Sequence, residues 1–216
     1  GASGAVTKIS RGTLELSGNN TYIGTTTINA DSGTLIANTP DTVAASSYTV
    51  GAGSTLGGTG TINGATVSVS AAGGSNMYIG GIINPGDPGQ GETGTLTINS
   101  NVTFSGGSLL FININGNGGP GDGNSSGSFH DQLIIGANRT LTITSAVSAN
   151  ASNTALFNGY TKPGFSPVNG VDEFKVISKA GNATITVGTG GGFLSQDLPL
   201  PPALSPATVT TQGGKY

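Results

Sequence analysis

The triplet Gly12-Thr13-Leu14 returns as Gly33-Thr34-Leu35 and again as Ser54-Thr55-Leu56, with a step of 21 residues each time. Gly94-Thr95-Leu96 follows 40 residues further on, about two more steps. A second β-prone run keeps nearly the same beat: Thr25-Thr26-Thr27-Ile28 lies between the first two copies and Ser47-Tyr48-Thr49-Val50 between the next two. Short strands recurring at a period of roughly 20 residues mark a solenoid, in which each repeat buries its apolar face only against its neighbours. The spacing therefore predicts an interior ladder of Leu14, Leu35, Leu56 and Leu96, with Ile28 and Val50 on a second strand of each coil. Asn and Thr at equal positions on successive coils can form hydrogen-bonded ladders.

The punctuation agrees. Gly18-Asn19-Asn20, Asp31-Ser32-Gly33, Gly51-Ala52-Gly53 and Gly57-Gly58 are residues that tolerate left-handed backbone at tight corners. Helix signals are nearly absent; the best is one turn over Asp41 to Ser46, with Asp41 as cap. Gly makes up 39 of 216 residues, but without the three-residue period of collagen. Regular Leu, Ile and Val in short runs separate the chain from a flexible linker.

Charge and cysteine exclude several function classes. The 7 Lys and Arg are scattered singly in a chain of net charge −3, which leaves no electrostatic footprint for nucleic acid. No apolar run is long enough for a transmembrane helix. With no Cys there is no disulfide framework, thiol chemistry or thiolate metal site. Low charge and many short hydroxyl side chains incline the reading toward secretion.

Along the chain, residues 1–115 read as the β-solenoid repeat region. Residues 116–193 read as a Gly-rich loop and β-rich cap, and residues 194–216 as a Pro-rich extended tail. Within the cap, the runs around Leu133-Ile134-Ile135 and Leu141-Thr142-Ile143 predict two strands. Glu173 to Ser178 and Ala183 to Val187 predict a hairpin closed by Ala180-Gly181-Asn182.

Leu16-Ser17-Gly18-Asn19-Asn20-Thr21-Tyr22-Ile23-Gly24-Thr25-Thr26-Thr27-Ile28, followed by Gly33-Thr34-Leu35, resembles the passenger-associated repeat of bacterial autotransporters. The resemblance runs on through Gly57-Gly58-Thr59-Gly60-Thr61-Ile62, Ile83-Asn84-Pro85-Gly86 with Gly94-Thr95-Leu96-Thr97-Ile98, and Asp131-Gln132-Leu133-Ile134-Ile135. It implies an all-β chain, a right-handed parallel β-helix with a more irregular β-rich C-terminal cap, placed extracellularly or on the bacterial outer surface. Members of that family cross the outer membrane through a C-terminal β-barrel; this sequence carries no such segment.

Candidate chemistry is sparse. The sole histidine, His130, stands beside Asp131, but a triad needs a nucleophile and an orienting acid placed in space. Asp131 matches a position of the repeat, where it begins a strand. Glycosidic cleavage needs two carboxylates flanking one bond, whereas Asp31 and Asp41 both sit at turn signals. Gly118-Gly119-Pro120-Gly121-Asp122 is one residue short of a calcium nonapeptide and occurs once, where stacked copies are needed. No cofactor or metal is predicted.

These residues point to a non-enzymatic structural or adhesive module. Two rivals stand beside it: a polysaccharide-processing β-helix enzyme, and a passenger fragment of a larger adhesin. The expected partner is another copy of the chain, with surface glycans as a further possibility. Solenoid ends are open sheet edges that template pairing, so Ala5, Val6 and Ile9 at one end and Ala207 and Val209 at the other are the candidate self-association residues.

Overall fold

The computed structural model describes residues 3–39, 47–73, 79–87, 93–114, 130–144, 155–161, 177–188 and 193–195. Strands β1 (Val6–Lys8) and β2 (Thr13–Leu16) form the first coil, β3 (Thr26–Ile28) and β4 (Thr34–Ala37) the second, β5 (Tyr48–Val50) and β6 (Thr55–Gly58) the third. From there each coil gains a strand: β7 (Thr61–Ile62), β8 (Thr66–Val69), β9 (Ile82–Pro85); then β10 (Thr95–Ile98), β11 (Asn101–Phe104), β12 (Leu109–Ile114). Next come β13 (Gln132–Ile135), β14 (Thr140–Ile143), β15 (Ala155–Thr161), and lastly β16 (Ile177–Lys179), β17 (Thr184–Val187), β18 (Phe193–Ser195).

All described elements are strands, and they stack as three parallel sheets. The first sheet runs β1-β3-β5-β8-β11-β14-β17, the second β2-β4-β6-β9-β12-β15-β18, and the third β7-β10-β13-β16. The result is a β-solenoid. Strands β10 and β12 pair in parallel with β13 and β15 of the next coil.

The coils hold together through columns of inward side chains. On the second sheet Leu14 faces Leu35, Leu35 faces Leu56, Leu56 faces Ile83 and Ile83 faces Leu110. On the first sheet Ile28, Val50, Val69, Phe104 and Ile143 succeed one another in register. From Leu35 and Ile28 onward these side chains are buried, each contributing roughly 1.5–3 kcal/mol. Alternation does the rest: Thr66-Val67-Ser68-Val69 shows the strict exposed-buried period of a strand with one dry face.

Three expectations need correction. Leu14 keeps its register but is 37% exposed, because β2 ends its sheet and has a neighbour on one side only. Leu96 is fully buried but belongs to the third sheet, where it faces Leu133. The 40-residue gap before it is therefore not two short coils: the chain turns a new corner after β6 and opens the third sheet. Finally, Ile177–Lys179 and Thr184–Val187 make no hairpin. They pair in parallel with β13 and β14, in different sheets, because Ile177 and Ile185 continue columns already built by Leu133 and Leu141.

The corners fall where the turn residues are. Asp31 adopts φ 55° and Asn138 φ 58°, as the short polar side chains that best tolerate this region do. Gly33 has φ 75°, and a methyl group there would collide with the carbonyl of Gly12 one coil below.

Candidate functional site

The most unusual chemistry lies at the corner before β13. Asp131 is fully buried. Its Oδ1 accepts the backbone N–H of Gly94 at 2.7 Å. Its Oδ2 accepts the backbone N–H of Asn113 at 2.7 Å and that residue's side-chain amide at 3.0 Å. One carboxylate thus clamps the start of β10, the end of β12 and the start of β13. Gly94 can come this close only as glycine: a Cβ there would meet the Thr59 methyl at 2.6 Å and Gly86 at 2.7 Å. His130 is also buried and bridges to Ile114 in antiparallel fashion, so it is part of the packed corner.

Burial pushes the Asp131 carboxyl up to about 7, against the pull of its three donors. Desolvation opposes charge, and hydrogen bonds from Asn113 and Gly94 favour it. Both oxygens are engaged in holding backbone, which suits a structural clamp.

The other acids serve the coil surface. Arg11 Nη2 donates to Asp31 Oδ2 at 2.7 Å in an exposed pair linking the first corner to the second, and Asp31 holds the guanidinium pKa above its ordinary value. Glu15 Oε1 accepts from Asn38 Nδ2 at 2.9 Å, and Asn38 Oδ1 accepts from Thr59 N at 3.2 Å, a polar chain up three coils. Among the described residues no three His, Cys, Asp or Glu gather as metal ligands, and no helix is long and apolar enough to cross a membrane.

Of the predicted ladder, Leu35, Leu56, Ile28 and Val50 lie inside, Leu96 lies inside on another sheet, and Leu14 lies at the open edge. Of the self-association residues, Ala5 and Ile9 are exposed and Val6 half-buried beside β3. Ala207 and Val209 lie outside the described residues, as do Asp41 with its turn and Asp122 with its Gly-rich loop. The clamp role of Asp131 escaped the sequence reading. The available signal was an acid directly before the strand Gln132-Leu133-Ile134-Ile135, but its partners lie 18 and 37 residues away.

No family model, no curated protein and no solved structure matches this chain.

Proposed function

We propose that this chain is a right-handed parallel β-helix with a β-rich cap, acting as a rigid, non-enzymatic structural or adhesive module outside the bacterial cell and joining copies end to end. The observation that carries the reading is the first coil. Strands β1 and β2 each have a pairing partner on one side only among the described residues, and Ile9 and Leu14 stand exposed there, at 71% and 37%. A row of unpaired N–H and C=O groups beside apolar side chains is a template for another strand. A contact between unlike ends does not close on itself and so builds a filament.

The polysaccharide-enzyme alternative has less support, because the buried carboxylate of Asp131 spends both oxygens on backbone and amide donors. Light scattering and electron microscopy of the full chain and of a chain ending at Leu194 test the assembly. Fibres from the full chain, reduced on truncation, are expected. Monomers at high concentration from both would overturn it, and turnover on a panel of pectins and glycans would restore the enzyme reading.

A further inference from the structure

The outer face of the first sheet carries an ordered array. Thr7, Thr27, Thr49, Ser68, Thr103, Thr142 and Thr186 face one another in register across all seven strands. All seven are exposed or half-buried. The chain takes anywhere from 19 to 44 residues to come back to this column, yet it returns a hydroxyl every time. A second column two residues earlier holds Ser47, Thr66, Asn101, Thr140 and Thr184, joined by side-chain contacts. Thr66 Oγ1 donates to Ser47 Oγ at 3.1 Å, Thr140 N donates to Asn101 Oδ1 at 3.0 Å, and Thr140 and Thr184 share a hydrogen bond of 3.0 Å.

What this face leaves out is as informative. The one charged residue in its seven strands, Lys8, turns inward and is buried, with its ammonium on the carbonyls of Ser10 and Ser32. The aromatic rings of these strands, Tyr48 and Phe104, are also inside. There is no charge for an ionic ligand and no ring platform on which a sugar could stack. Among the described residues no side chain hydrogen-bonds the central hydroxyls of Thr27, Thr49, Ser68, Thr103 or Thr142, whereas the flanking column is cross-linked to itself.

The array has two periods: about 4.8 Å between strands and about 6.6 Å between alternate residues along a strand. The inter-strand period lies near the shorter oxygen repeat on the prism face of hexagonal ice, and each Thr presents a methyl beside its hydroxyl. Buried Val, Ile and Phe directly beneath hold the rows in place before any ligand arrives, so little ordering cost remains to be met on binding. We propose that the outer face of this sheet binds ice, through the central hydroxyl column and its neighbour. This holds whether or not the coils join end to end.

The test uses the full chain. Its partition into slowly growing polycrystalline ice and its inhibition of ice recrystallisation are compared with those of Thr49→Tyr/Thr103→Tyr, which keeps strand preference but breaks the flat array. Thr97→Tyr on the third sheet is the control. Wild type and control should enter the ice, and the double variant should be depleted roughly tenfold. Circular dichroism at the same temperature checks that each is folded, and Ser68→Lys serves as a second disruption if the double variant is not. Exclusion of the wild type from ice, or equal loss in the control, overturns the proposal. So does exclusion from ice combined with co-sedimentation on crystalline cellulose or chitin, which would make the ligand a glycan.

Discussion

Asn113 gives both its backbone N–H and its side-chain amide to the same oxygen of Asp131, at 2.7 and 3.0 Å. The second oxygen takes the N–H of Gly94, 37 residues back in the chain. This carboxyl sits where two sheets meet and water does not reach, so its protonation is tied to the integrity of the corner.

The pH dependence follows from that tie. The folded pKa of about 7 lies above the unfolded value near 3.9. The native state therefore holds the proton more tightly than the unfolded chain between those limits. The contribution is fully present below about pH 4 and is lost as pH rises through 7. Urea midpoints should fall from pH 5 to pH 8, with this group losing about 3 kcal/mol over the roughly two pH units below 7, at 1.36 kcal/mol per pKa unit. Asp131→Asn should flatten that slope; a wild-type midpoint that rises over the same range contradicts the assignment.

The leucine column should be graded by position. Leu35 is fully buried between Leu14 and Leu56, and Leu35→Ala should cost roughly 2–5 kcal/mol. Leu14→Ala, at the half-open edge, should cost clearly less. Equal losses in chemical denaturation would mean that the first coil is covered in solution.

Ser54 locks a corner between coils. Its hydroxyl oxygen accepts the N–H of Ser32 at 2.7 Å and its O–H donates to the carbonyl of Asn29 at 2.6 Å, in a fully buried position. Ser54→Ala leaves the Ser32 N–H without its acceptor, at a cost of about 1–3 kcal/mol. Hydrogen exchange at Ser32 should accelerate well beyond that at Leu56 in this variant.

Glycines divide by what surrounds them. Gly33→Ala places a methyl against the carbonyl of Gly12 at a φ of 75°, while Gly18→Ala points into open space. The first should lower the thermal midpoint markedly, by strain of the order of 1–3 kcal/mol. The second should leave it nearly unchanged.

The short-coil part of the solenoid is legible in the residues alone. The even 21-residue step sets Leu14, Leu35 and Leu56 in one register, and Asp31 and Gly33 mark a corner, because these signals act over a few residues of backbone. The remainder came from how the coils stack. Stacking moved Leu96 to a third sheet, turned the expected hairpin at Gly181 into a corner between two sheets, and brought Asn113 and Gly94 onto Asp131. It also aligned a hydroxyl on every strand of the first sheet despite returns as long as 44 residues. The physical reason is that a strand's alternation says which side chains face inward but not which strand they meet. Over loops of variable length, the partner is chosen by the column of buried side chains already stacked beneath it.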